Sequence, residues 1–292
     1  MADRHEFGDG WLHAVVDAAG AELVVLDSRG PNARPLLWDG SNPWKRHSPV
    51  LFPIVGRLPD DRMALGDTEV RLPQHGFARD RVFEWVSRST DGCVLELIDD
   101  AESRRVFPCA FRLQLHYRIA AGKLELRYVL RNPDTTADLH AAVGAHPAFL
   151  WPQEPGALRE AHRLVFSDEE EKTIWRVSDG LLRAQPEPSP LVGRELPLSD
   201  SLFVDDALIF RPVRSHGVQF LGPRGAGLEM SWRGFPELGV WTKPGAGFLC
   251  IEPWHGYATP TGFHGDFAVK PGNLHIGPQQ SWEAAWTVRA IG

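Results

Sequence analysis

Four segments of this 292-residue chain set polar side chains inside apolar, Gly/Pro-rich sequence, and the residue types are those of proton exchange and oxygen recognition. Glu252 ends the apolar run 248–251 in FLCIEPWHGY and precedes Pro253 and Trp254. A carboxyl held between an apolar strand and a tryptophan is a candidate base of raised pKa, or else it closes a salt bridge at the strand end. His146 lies in GAHPAFLWP, where Pro147 biases it to extended backbone and Phe149 and Trp151 follow. His75 lies in LPQHGFARD, beside Gly76, with the aromatic face of Phe77 and then Arg79 behind it. Each histidine is a candidate functional group, and each also reads as a hydrogen-bonded structural histidine. Arg57 ends the apolar run of SPVLFPIVGRLPDDR, either as a donor to ligand oxygens or as a surface arginine after a buried strand. All four segments fall at strand ends or in loops, where a rigid sheet commonly presents functional groups.

The elements that must position them are strands. Period-2 alternation runs through 12–26, broken at Ala18-Ala19-Gly20, and through 67–72, 82–88 and 93–98. Segments 111–119 and 123–131 form a hairpin with Ala121-Gly122 at its turn. Further strands are expected at 139–143, 163–167, 173–177, 207–212, 217–221, 227–232, 238–242, 247–251 and 281–289. No long segment keeps a 3.6-residue period, and 99–106 suits one helical turn. Many short strands with dispersed breakers predict an all-β fold, a sandwich or barrel, built as a single domain over 1–292. The Pro-rich stretch 183–200 reads as an exposed excursion from it.

Composition narrows the function classes. A net charge of −7 with scattered basic residues excludes a nucleic-acid-binding stripe and electrostatic attachment to anionic membranes. Three cysteines, Cys93, Cys109 and Cys250, with no Cys-x-x-Cys pair, argue against a disulfide framework or structural zinc and suit a reducing compartment. The charged N-terminus and the lack of a long apolar run point to a cytoplasmic protein. HExxH, GxGxxG and P-loop signatures are absent, so no metal or nucleotide cofactor is expected. With 28 Gly and 24 Pro the chain is rich in turns, and 11 Trp against 3 Tyr offer flat apolar faces that suit core packing or sugar rings.

Taken in order from about residue 10 to 288, these segments resemble the aldose 1-epimerase (galactose mutarotase-like) family, and FPIVGR, QHGFARD and IEPW resemble its bacterial LacX-type branch. The resemblance implies a large antiparallel β-sandwich, the galactose mutarotase-like supersandwich. It implies an isomerase that interconverts the α and β anomers of a hexose. Glu252 would act as base at O1, His146 as acid at O5, and His75 would orient the ring. Arg57 and Asp206 would hold sugar hydroxyls, and Trp254, Phe77 or Trp241 would stack on the pyranose. The acidic limb of the pH–rate profile would then belong to Glu252 and the basic limb to His146. The wording differs from the better-known Leu-His-Gly-Gly, Asn-His-Thr and Glu-Thr-Gln motifs, so the sugar stays open. HGFAR is also similar to the hexose-6-phosphate epimerase branch, with Arg79 or Arg57 near the phosphate. A catalytically silent sugar-binding protein is the third reading. The partner implied is a small-molecule sugar, with the chain a monomer or homodimer.

Overall fold

Alternation of apolar and polar side chains governs the architecture. The strand Arg112–Ala120 buries Leu113, Leu115, Tyr117 and Ile119, and turns the intervening residues outward. Its partner Lys123–Arg131 does the same with Leu124, Leu126, Tyr128 and Leu130. Ala121 and Gly122 join them with φ of 51° and 72°. Two consecutive left-handed residues are what a two-residue turn matched to the strand twist requires.

The computed structural model describes residues 3–154 and 156–292. In it this hairpin lies within a nine-stranded antiparallel sheet. From edge to edge the order is Glu195–Pro197, Arg163–Phe166, Gly217–Leu221, Gly227–Arg233, Ser281–Ile291, Lys123–Arg131, Arg112–Ala120, Gly92–Ile98 and Glu84–Ser89. A six-stranded sheet faces it, ordered Leu208–Phe210, Glu237–Trp241, Phe248–His255, Val143–Ala145 and Val50–Leu51, with Ala148–Leu150 also paired to Phe248–His255. Inward side chains of both sheets, among them Leu126, Trp286 and Met230 from the first and Val143, Val240 and Ile251 from the second, belong to one buried cluster. A three-stranded sheet, Arg4–Gly8, Leu12–Asp17 and Glu22–Ser28, adds Phe7, Leu12, Val16 and Leu23 to it. The fold is an all-β antiparallel sandwich, as the alternation predicts.

The structure departs from the sequence reading in two places and matches it in a third. Arg4–Gly8 and Arg62–Leu65 are strands whose alternation is too short to stand out, and pairing to Leu12–Asp17 and Thr68–Arg71 makes them so. The Pro-rich stretch is no mere excursion, because Glu195–Pro197 forms an edge of the large sheet. A proline is tolerated there because an edge strand leaves one side of its backbone unpaired. The helical turn expected in 99–106 is present as Ser103–Val106.

The two faces of the six-stranded sheet have different surroundings. One packs on the core, so the other is where polar groups can stand.

Candidate active site

The strand Phe248–His255 divides its side chains between these two faces. Leu249 and Ile251 enter the main core. Cys250, Glu252 and Trp254 alternate with them and point the other way. The indole of Trp254 lies flat on the sheet because the neighbouring strands carry glycine beneath it. A Cβ on Gly239 would lie 2.3 Å from the indole, and one on Gly144 would lie 2.6 Å from it. Trp254 thereby floors a cavity of about 370 Å³, of the size that takes a small ligand. Glu252, 1% exposed, lines it too.

His146 follows the strand Val143–Ala145, whose pairing to His255 and Trp254 carries it to Glu252. Its Nε2 stands 3.3 Å from Oε2 of Glu252. Three rings fix the imidazole. Trp44 stacks on it at 5.1 Å between centroids, and Trp241 and His75 meet it edge-on, each at 5.7 Å.

His75 adopts φ of 67° and Gly76 of 72°. At Gly76 no other residue fits, since a Cβ would lie 2.2 Å from the carbonyl oxygen of Phe52. The Gly56 N–H donates to Nδ1 of His75 at 3.2 Å, and the His75 N–H donates to the Gly56 carbonyl at 2.8 Å. With Nδ1 accepting, a neutral ring carries its proton on Nε2 and acts as a donor.

Two charged side chains complete the lining. Arg79, in the turn Ala78–Asp80, donates through Nη2 to the Gln74 carbonyl at 2.6 Å, while its Nε is buried without a partner. Asp206 stands exposed at the rim with φ of 68°, in a loop that Arg176 holds through the carbonyls of Leu202 and Asp206 at 2.8 Å each. The neighbouring Asp205 does not line the cavity, and its carboxylate lies 3.5 Å from Arg183.

The sequence profile of the family described as aldose 1-epimerase matches residues 3–273. The chain belongs to the aldose 1-epimerase family. It is 29% identical to protein LacX of Lactococcus lactis subsp. lactis over 261 residues, covering 86% of this chain and 83% of that protein. A galactose mutarotase related enzyme of Lactobacillus acidophilus superposes with a TM-score of 0.91 at 28% identity, covering 99% of this chain and 97% of the other. A galactose mutarotase-like protein of Lactobacillus casei also gives 0.91, at 24% identity over 99% and 100% of the two chains. The sandwich is thus the galactose mutarotase-like fold, in a family of epimerases.

Within this family member the electrostatics of the cavity are set by burial. Burial pushes the Glu252 carboxyl well above its ordinary 4.5, and the negative charge of Asp206 adds to the effect. The Trp254 indole N–H counters it weakly, lying close to the carboxyl without a hydrogen bond of normal geometry. Burial pushes His146 down to about 3, with the charges of Arg79 and Arg46 acting the same way. His75 is also held well below its ordinary 6.5, by burial first and then by His146, Arg79 and Arg46. The usual order of carboxylate below imidazole is therefore inverted between Glu252 and His146. Burial favours the neutral pair and their proximity favours the ion pair, and both forms hold one proton in total. On this ordering His146 gains a second proton on the acidic side and Glu252 loses the last one on the basic side, opposite to the assignment that the resemblance implies.

Of the residues singled out from sequence, the structure brings Glu252, His146, His75, Arg79, Asp206 and Trp254 to one cavity. It leaves out two. Arg57 is turned to Asp61, with Nε 2.8 Å from the carboxylate, and its methylenes pack behind Gly180 of the cavity wall. Arg79 is the arginine that lines the cavity. Phe77 packs edge-on against Phe52 at 6.1 Å and beside Phe107 and Phe111, so its half-buried ring lies against the core. Trp241 lines the cavity, and Trp44, which the alternation gave no reason to single out, lines it beside His146. The excess of tryptophan was the only sequence signal for Trp44. His146, Cys250 and Glu252 each offer one atom within 4.8 Å of the other two, a spacing that could also hold a metal ion.

Proposed function

We propose that the protein is an aldose 1-epimerase that interconverts the α and β anomers of a hexose, with His146 and Glu252 exchanging the protons. The observation that carries this reading is their 3.3 Å contact, buried at the edge of a cavity floored by an indole. The two oxygens that must trade a proton, O1 and the ring O5, are bonded to the same carbon. Acid and base must therefore converge within a few ångströms of one another, and these two do.

Opening begins from the ion pair. Glu252 takes the O1 proton, the O1 electrons form the C1 carbonyl, the C1–O5 bond breaks, and His146 delivers its proton to O5. That leaves the neutral pair beside the free aldehyde. After rotation about C1–C2, His146 takes the proton back from O5, O5 adds to the other face of C1, and Glu252 returns a proton to O1. The cycle visits both one-proton states of the pair and consumes nothing. The burial that favours the neutral pair also favours the state that accompanies the open chain. His75 donates through Nε2 near the ring oxygen, Arg79 and Asp206 hold hydroxyls, and Trp254 or Trp241 stacks on the apolar face of the ring. The whole chain, residues 1–292, works as one domain in this reading.

A 6-phosphorylated hexose is the second reading. Its support is Arg79 in the cavity wall with the charge of Arg46 close enough to depress its pKa, after burial. Polarimetry of freshly dissolved α-D-glucose, α-D-galactose and α-D-glucose 6-phosphate, with and without protein, tests both. Acceleration of a free hexose, uninhibited by inorganic phosphate, supports the first. Acceleration confined to the phosphate ester supports the second. Binding without acceleration of any anomerisation refutes both and leaves a silent binder.

A further inference from the structure

We propose that Asp138, His140 and His275 form a binding site for a zinc-type divalent metal ion, outside the cavity. The two histidines are direct cross-strand partners in the ribbon of Leu139–Ala141 and Leu274–Ile276. Their neighbours in both strands, Leu139, Ala141, Leu274 and Ile276, are buried in the main core. Alternation therefore sends both imidazoles to the opposite side together. Their ring centroids lie 4.7 Å apart with 35° between planes. Asp138, two residues before His140 and so on the same side, places Oδ2 2.8 Å from Nε2 of His275.

One ligand atom from each of the three lies within 4.8 Å of the other two. Bond lengths of about 2.1 Å in a tetrahedral zinc site put ligand atoms about 3.4 Å apart, so small side-chain movements suffice. Those movements are free, because the His275 and Asp138 side chains are 64% and 42% exposed. In effect the ion replaces the proton that Asp138 and His275 share. His140 is prepared as a ligand as well. Its ring is held beside that of His275, and its Nδ1 is sealed from water without a hydrogen-bond partner. The carboxylates of Asp138 and Asp266 supply negative charge around it. Two imidazoles and one carboxylate suit zinc, copper or nickel, whereas magnesium and calcium prefer oxygen alone.

The test is calorimetric titration of the chelator-stripped full chain with zinc chloride, repeated with magnesium chloride. The parent should bind one zinc ion and no magnesium. His275→Ala and Asp138→Asn, changes at exposed positions, should each weaken zinc binding by at least about tenfold. Cobalt substitution identifies the ligands independently. The expected spectrum lacks the near-ultraviolet band of a cobalt–thiolate bond. A thiolate band would place the ion at Cys250 and overturn the assignment. So would zinc binding that persists undiminished in His275→Ala, or no saturable zinc binding below millimolar concentration. Mutarotation by His275→Ala should match the parent, so the failure of this site and of the catalytic reading are told apart.

Discussion

Replacing Glu252 by Gln keeps the size of the side chain and removes one end of the proton exchange. The amide can neither take the O1 proton nor return it. Groups in this role contribute about 10²- to 10⁴-fold, so kcat should fall by that factor with KM changed only a few-fold. In barrier terms this is about 2.7 to 5.4 kcal/mol, at about 1.36 kcal/mol per decade. Polarimetry of the hexose that the parent turns over best reads the loss directly. Stability provides an internal control whose sign follows from the two pKa shifts. Unfolded, Glu252 ionises near 4.5 and His146 loses its proton near 6.5. Folded, His146 loses its proton near 3 and Glu252 keeps its own well above 4.5. Stability rises with pH wherever the unfolded chain binds more protons. From about pH 3 to 4.5 the pair thus adds stability. Above 4.5 the folded Glu252 keeps a proton that the unfolded chain has lost, and this offsets the rise that His146 still provides up to 6.5. Beyond 6.5 the His146 contribution is level, so what remains is the Glu252 contribution, which falls until that carboxyl ionises. Glu252→Gln retains only the His146 limb, which rises to 6.5 and then stays level. Its Tm should therefore gain on the parent as pH rises above 4.5, until Glu252 of the parent ionises. Near-normal mutarotation of every hexose the parent accelerates would refute the catalytic role of Glu252. A Tm difference from the parent that does not change above pH 4.5 would refute the raised Glu252 carboxyl.

His146→Asn should lower kcat by a similar about 10²- to 10⁴-fold, and the double variant should be little worse than either single one, because one relay fails when either end is missing; multiplicative losses in the same polarimetric assay would separate the two residues. Arg79→Ala should chiefly raise KM, by about ten- to a hundredfold for a hydrogen bond from a charged donor, whereas Arg57→Ala should leave both constants within about twofold; a larger effect at Arg57 would mean that it leaves Asp61 to reach the sugar. Gly76→Ala should lower stability by about 1–3 kcal/mol or more from backbone strain alone, read as a fall in the urea midpoint, since its φ of 72° and the Phe52 carbonyl both exclude a Cβ. Stripping the protein with EDTA should leave mutarotation intact, because the proton relay needs no Lewis acid; loss restored by one divalent metal would count against it.

The strands and the convergence of His75, His146 and Glu252 were legible for different reasons. Alternation in segments such as 111–119 and 123–131 reports a core on one side of a sheet, which is a local property of sequence. Convergence was legible only through the ordered resemblance, since residues 75, 146 and 252 are joined by pairings that no local pattern encodes. What sequence missed was side-chain direction within loops. Arg57 and Arg79 each stand shortly after a glycine at the end of an apolar stretch. The packing of Arg57 against Gly180 and its bond to Asp61 turn it away, whereas Arg79, bonded to the Gln74 carbonyl, lines the cavity. Phe77 failed for the same reason, because the aromatic cluster of Phe52, Phe107 and Phe111 claims it. Trp44 could not be singled out because it packs on His146 from a loop with no periodicity.

The glycines explain why the site belongs to this sheet. A β-sheet face is normally covered by side chains from every second residue, which would leave no room for a ring to lie on it. Here the positions flanking the strand of Glu252 are Gly144 and Gly239, and the space they leave is filled by the indole of Trp254 lying parallel to the backbone. A flat apolar floor results, with Glu252 rising one alternation away on the same strand and His146 arriving from the next. His146 sits between two short strands, Val143–Ala145 and Ala148–Leu150, that both pair to the strand of Glu252, so backbone ladders on either side of it hold its distance from Glu252. An alanine at Gly239 would displace the indole. The expected consequence is a floor too high for a sugar ring, although Glu252 and His146 would still face each other.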